Sequence, residues 1–311
     1  MPSKMQKSTY WQGVWRLADP KISLASFAGI FLGASFAAAD GSLHFGWLAL
    51  TVLGVFLVEV GKNAAGEIVD FDSGTDQAIS TDNRSPFSGG KRVLVDDLLT
   101  RQQTRLIAGA CFLAAIGVGL LIVWLRDSRV LVFGIIGMAL AWYYHGGRVK
   151  LAYRGLGEIA VMLAYGPLVV CGTYFVQTGY LNAALIHASM VLGLLVAAFL
   201  WINEFPDYAA DKAAGKNNLV VRLGYESAAL AYSVIMVTAY LWLVLSAEYY
   251  PGARGMLWGI CGVLPATFSA WRLLESKEVT PRLIPAQAAA LCSFLLMALG
   301  SGVGYYLFAA G

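Results

Sequence analysis

Asn203 to Gly224 reads NEFPDYAADKAAGKNNLVVRLG, and its Asn203, Asp207 and Asp211 recur every four residues where a long apolar stretch gives way to charge. At about 100° per residue a step of four returns to nearly the same helix face, so these three oxygen-bearing side chains form one stripe. That is a metal-binding geometry. Upstream, Asn63 to Asp76 (NAAGEIVDFDSGTD) repeats the arrangement at the end of another apolar stretch. Asn63, Glu67 and Asp70 fall near one face, Asp76 follows Gly74, and Glu59 extends the stripe one turn deeper. An ionisable side chain at mid-bilayer costs roughly 2.5–3.5 kcal/mol and less near the interface, so several on one face need a compensating partner. Magnesium takes one or two carboxylates plus phosphate oxygens, and two such clusters suit a diphosphate held through divalent cations.

The surrounding chain is apolar. Of 311 residues 58% are hydrophobic and 13% charged, with a mean hydropathy of +0.65, which marks an integral membrane protein. Nine stretches reach membrane-spanning length, near 22–40, 43–66, 103–124, 129–146, 157–177, 182–206, 226–247, 254–273 and 285–308. A count of eight would merge two neighbours, and charge placement decides between them. With nine spans and the N-terminus inside, nineteen Lys and Arg lie on the inside, among them Lys4, Lys7 and Lys21, and only Arg126, Arg129 and Arg254 outside. That asymmetry follows the positive-inside rule and puts both acidic clusters on the cytoplasmic face. The expected architecture is therefore all-α: nine transmembrane helices in a single bundle, one domain over residues 1–311, capped by cytoplasmic loops. Residues 1–21, with Tyr10, Trp11 and Trp15, read as an interfacial anchor, and the C-terminus falls outside.

The longest polar segment, about residues 67–102, contains the first cluster and the run DNRSPFSGGKR (residues 82–92), and is expected to cap the site. A second inside loop is expected over about 207–225. Basic groups near the acids, Lys91, Lys150, Arg154 and Lys216, are candidates to stabilise charge on a departing diphosphate. Arg154 and Glu158 are spaced for an i,i+4 ion pair. Asp72, Asp82, Asp96 and Asp97 read as solvated.

Other chemistries lack their parts. Cys111, Cys171, Cys261 and Cys292 stand singly in apolar stretches and read as buried packing residues, with no disulfide expected. His44, His145 and His187 are scattered, without zinc, haem or Ser-His spacing. The net charge of +3 is a consequence of topology, and no basic stripe suggests nucleic acid. A transporter would place carboxylates deep in several helices, and here Glu59 is the main deep one.

Asn203, Asp207 and Asp211 followed by Gly215, Lys216 and LVVRLG (residues 219–224), with Asn63, Asp70 and Asp76, resemble the motifs of the UbiA superfamily of intramembrane prenyltransferases. Within it, LAYRGLGEIAVMLAYGPLVVCGTYFVQTG (residues 151–179) resembles the 1,4-dihydroxy-2-naphthoate polyprenyltransferases of menaquinone biosynthesis. The resemblance implies transfer of a polyprenyl group from an allylic diphosphate to an aromatic acceptor. It further implies Mg2+, two ions bridging the diphosphate, held by Asp70, Asp76, Asp207 and Asp211 with Glu67 as a further ligand. Asn63, Asn203, Lys91, Lys150, Arg154 and Lys216 would contact substrate, and Tyr143 and Tyr144 would face the cation or the acceptor. A bacterial inner membrane is the implied location. The chain departs from the pattern in three places: Gly66-Glu67 replaces an Asn-Asp pair, Pro206 a basic residue, and Asn218 a Thr. The first departure leaves open another aromatic ring, such as a quinolone or homogentisate.

Overall fold

The computed structural model describes residues 4–309, with side chains for all but residues 4–8 and 21–22. Lys4, Lys7 and Lys21, counted above on the inside, therefore lie outside the described side chains. Every regular element among the described residues is helical. In chain order these are α1 (Lys4–Ala18), α2 (Pro20–Ala39), α3 (Phe45–Asp72), the single turn α4 (Thr75–Ala78), α5 (Arg101–Leu125), α6 (Val130–His145), α7 (Gly157–Leu163) and α8 (Val169–Thr178). There follow α9 (Ala183–Ala213), α10 (Leu219–Tyr249), a 3-10 run Pro251–Gly262, α11 (Val263–Ser276) and α12 (Thr280–Ala309).

These segments are apolar nearly all round, the pattern of helices buried in a bundle or in lipid. Seven spans are long and apolar enough to cross a membrane, or eight if α1 and α2 count as one bent span. Each of the nine expected stretches has a helical counterpart. The one near 129–146 is α6, only 16 residues long, and it falls short of the spanning criterion.

Side-chain caps set several boundaries. Thr100 and Gln103 form a reciprocal capping box at α5, Asn182 accepts from Leu185 N at α9, and Asn218 accepts from Val221 N at α10. α9 is the axis of the bundle: 67% of its most apolar window is buried, against 17% for α3. It packs on α10, α12, α7 and α2. α7 and α8 are joined by a π-turn over Ala164–Leu168, where Pro167 has no N–H to give and Gly166 leaves helical geometry. There the chain crosses α9 closely: a Cβ on Gly193 would lie 2.4 Å from Met162 O.

Three expectations are corrected. The segment 207–225 is not one loop, because α9 continues through Pro206 to Ala213 and α10 begins at Leu219; the whole Asn/Asp stripe is helical. Pro206 lies inside α9 without ending it. Arg154 and Glu158 do not pair, since Arg154 donates to Arg148 O at 2.8 Å and Glu158 accepts Leu219 N–H at 2.6 Å. Cys261 and Cys292 are exposed on the outside of the bundle, while Cys171 is buried and Cys111 half-buried.

Candidate active site

The C-terminal ends of α3 and α9 meet at one end of the bundle, around a polar chamber of about 680 Å3. Asn63, Glu67, Asp70 and Asp76 line it from one side, Asn203, Glu204, Asp207 and Asp211 from the other, with Lys91, Lys216 and Tyr144 between. The loop of residues 84–92 covers it: Gly89 N–H donates to Asp207 Oδ2 at 3.2 Å. Gly90, at φ +73, brings its backbone so close to Asp76 that a Cβ would lie 2.2 Å from Oδ1.

Local chemistry fixes each acid. Tyr153 donates its hydroxyl to Asp70 Oδ1 at 2.9 Å, and His145 Nε2 stands 3.7 Å from Oδ2. Asp76 is 3% exposed on the turn after Gly74. Asn218, whose oxygen caps α10, donates its amide to Asp211 Oδ2 at 2.8 Å, and Lys216 Nζ sits 3.3 Å from Oδ1. Lys91 reaches across to Asp19 at 2.5 Å. Asn63 donates to Leu17 O at 2.9 Å and so ties α3 to the end of α1. Glu67 accepts the Leu94 N–H at 2.8 Å, which employs one oxygen in fixing the covering loop.

Eight acidic and six basic side chains line the chamber, so the acids outnumber the cations that could hold a diphosphate. Burial, then the charges of Asp70, Glu67 and Asp207, push the Asp76 carboxyl up to about 8. Burial and Asp70 push the Tyr153 phenol up to about 12. Burial alone would lower Lys216, but Asp211, Asp70 and Asp207 outweigh it and hold the ammonium well above its ordinary range. This is an acid cluster short of cations.

Asp207 Oδ1, Asn203 Oδ1 and Glu204 Oε2 are buried acceptors without a hydrogen-bond partner, and Asp211 Oδ1 meets only the Lys216 ammonium. Unpaired buried oxygens are costly, and hard divalent cations satisfy them. Among the described residues no three acidic, His or Cys side chains hold a metal by themselves. The oxygens of Asp207, Asn203 and Asp211 are the hard donors that a divalent cation takes together with phosphate oxygens.

Tyr143, Lys150 and Arg154 are not brought to the chamber. Tyr143 is 43% exposed, Lys150 lies over the Tyr153 ring at 5.2 Å, and Arg154 is bound to the Arg148 carbonyl. Sequence reasoning missed Lys62, Glu204, His145 and Tyr153. Lys62 and Glu204 each adjoin an Asn of a stripe, so proximity to Asn63 and Asn203 was the available signal. Asp96, read as solvated, pairs with Arg16 at 2.6 Å on the chamber rim. Glu59 accepts the Ser26 hydroxyl at 2.6 Å inside the bundle.

Beside the chamber lies an apolar cavity of about 410 Å3 between α3, α5, α6 and the α7–α8 region. Lys62, Tyr144, Val161 and Tyr165 line both spaces and form their junction.

The profile of the UbiA prenyltransferase family matches residues 26–283. The chain is 30% identical over 232 residues to a 1,4-dihydroxy-2-naphthoate octaprenyltransferase of Haemophilus influenzae, covering 73% of this chain and 74% of the relative. It is 28% identical over 295 residues to the Escherichia coli protein of the same name, covering 90% and 92%. A solved UbiA homologue from Archaeoglobus fulgidus, bound to GPP and Mg2+, superposes with a TM-score of 0.63 over 92% of this chain and 99% of its own, at 13% identity, which bears on the fold alone. With the family profile covering most of the bundle, both acidic stripes included, this chain belongs to the UbiA prenyltransferase family and is a membrane prenyltransferase.

Proposed function

We propose that the chain transfers a polyprenyl group from an allylic diphosphate to 1,4-dihydroxy-2-naphthoate, with Mg2+ at the two acidic stripes. The observation that carries the reading is the set of unpartnered Asp207 and Asn203 oxygens, beside Asp211, facing Asp70 and Asp76 across a chamber that continues into an apolar cavity. Asp70, Asp76, Asp207 and Asp211 would hold two ions, and Glu67, partly engaged by the covering loop, borders them. Bound Mg2+ supplies positive charge to the departing diphosphate. Lys216 and Lys91 add fixed cations at the same end, and Gly89 N–H positions Asp207. The allylic C–O bond breaks with its electron pair going to the diphosphate, a ring carbon of the acceptor forms the new C–C bond with a ring electron pair, and the group that carbon carried leaves as a proton or as CO2, returning its bonding pair to the ring. The apolar cavity shelters the isoprenoid tail from water.

The topology reading belongs to the same proposal. His145 at one end of α6 lines the chamber, while Val130 at its other end packs with Ile122, Phe175 and Val176. α6 thus runs the depth of the bundle despite its 16 residues, which supports nine crossings; the excess of Lys and Arg on the chamber side supports a cytoplasmic chamber and N-terminus, and a bacterial inner membrane completes the proposal.

Purified protein in lipid nanodiscs, given one prenyl diphosphate and Mg2+, should convert 1,4-dihydroxy-2-naphthoate to a prenylated product with release of diphosphate, read by mass. Product with homogentisate or a quinolone and none with the naphthoate would overturn the acceptor.

A further inference from the structure

Lys62 sits where the polar chamber and the apolar cavity join, with Nζ 5.5 Å from the centroid of the Tyr144 ring. Other cations of the chamber are ion-paired: Lys91 with Asp19, Lys216 with Asp211, and Arg16 and Arg92 sharing the one carboxylate of Asp96. Arg84 donates to the Ile79 carbonyl at 3.3 Å in the loop. Among the described residues Lys62 makes no ion pair. Glu59, one turn deeper on α3, is engaged by the Ser26 hydroxyl and does not approach Lys62 to ion-pair distance.

If the prenyl diphosphate lies with its phosphates at the acidic stripes and its tail in the apolar cavity, its reacting carbon falls at this junction. An unneutralised ammonium there would oppose the positive charge that develops on that carbon. The opposition disappears if the second substrate brings a negative group to Lys62. Tyr144 and Tyr165, lining the junction, offer ring faces against which an aromatic acceptor can stack.

Resting on the prenyl-transfer reading, we propose that Lys62 anchors an acidic group of the acceptor, so that the site selects hydroxyaryl carboxylates over the same ring without the acid. Lys62 is then a specificity-determining residue at the acceptor end, distinct from the groups that hold diphosphate.

The test measures steady-state kinetics in nanodiscs with Mg2+ and a single prenyl diphosphate, comparing 1,4-dihydroxy-2-naphthoate with 1,4-naphthalenediol. The unmodified protein should have a kcat/KM at least about tenfold higher for the acid, through a lower KM from the anchoring contact and a higher kcat from neutralising Lys62. Lys62→Met should raise the KM for the acid about tenfold or more, leave the KM for the diol and for prenyl diphosphate within twofold, and Lys62→Arg should restore most of the loss. Equal KM values for acid and diol in the unmodified protein would overturn the inference without any variant. So would an equal loss on both acceptors in Lys62→Met, or a shift confined to the KM of prenyl diphosphate. Transfer to neither ring nor to any other aromatic acceptor would instead overturn the prenyl-transfer reading, and this inference with it.

Discussion

Gly66 replaces an Asn of the family pattern, and the fold supplies a reason: a Cβ there would lie 2.6 Å from His145 Nδ1. The bare backbone lets the imidazole reach Asp70, an arrangement that joins residues 79 positions apart and has no local signature in sequence. The stripes were legible because their spacing is itself helical, so Asp207 and Asp211 on α9 and Asp70 on α3 could be placed by counting. Tyr143, Lys150 and Arg154 could not, because their segment is an irregular connection whose side chains have no fixed period. Replacing Asp207 or Asp70 by Asn should lower Mg2+-dependent product formation by a factor of about 10²–10³, the scale of losing one fixed charge stabiliser. Asp76 makes a separate prediction in pH. Its carboxyl titrates near 8 when folded, against about 3.9 in an unfolded chain. Its contribution to stability is thus complete below about 4 and is lost as pH rises through 8. Thermal unfolding without divalent cations should therefore come at lower temperature as pH is raised over that window. Mg2+ should reduce the slope, and Asp76→Asn should flatten it; an unchanged slope in that variant would exclude Asp76 as the source.

At the scale of elements, Asn218 links a helix start to a site residue. Its oxygen caps α10 and its amide holds Asp211, so the turn of residues 214–218 positions the acid directly. Asn218→Ala should cost about 1 kcal/mol of stability for the cap and also lower activity. Asn218→Ser should keep the cap while releasing Asp211, so thermal unfolding recovers and turnover does not. If both recover together, the amide contact has no role in turnover. The apolar stretches were readable to within a few residues because membrane helices are defined by length and apolarity. The end of the apolar span near residue 206 is not the end of α9: the rise in charge after it reads as a loop, whereas the helix runs on to Ala213 as the spacing of the stripe requires. On the opposite end of the bundle, Arg126 donates to the carbonyls of Val176 and Gln177, and Arg129 to that of Gly179. Two of the three basic residues that depart from the charge asymmetry therefore serve as caps for α8.

For the whole molecule, charge asymmetry and the common end of the acidic stripes lead to one orientation. Alkaline phosphatase fused after Gly311 should be active and a fluorescent protein dark, while N-terminal fusions should give the reverse; the opposite pattern would remove the nine-crossing reading. The fold class was legible from composition, and the chamber from two matched stripes. The contacts that hold the covering loop in place, Gly89 to Asp207 and Leu94 to Glu67, and the junction at Lys62 run across the bundle, and no periodicity encodes them.

The length of α6 has a bearing on the lipid around the protein. Sixteen residues at about 1.5 Å each give roughly 24 Å, less than the roughly 30 Å of an average hydrocarbon core. Its neighbour α5 has 25 residues, so the two sides of one hairpin are matched to different thicknesses. On the nine-crossing reading the bilayer would thin beside α6, and because His145 ends that helix in the chamber, acyl-chain length would act on the position of an active-site wall. Turnover in nanodiscs of shorter-chain lipid should exceed that in longer-chain lipid at equal protein, which makes membrane thickness a variable of catalysis as well as of solubility.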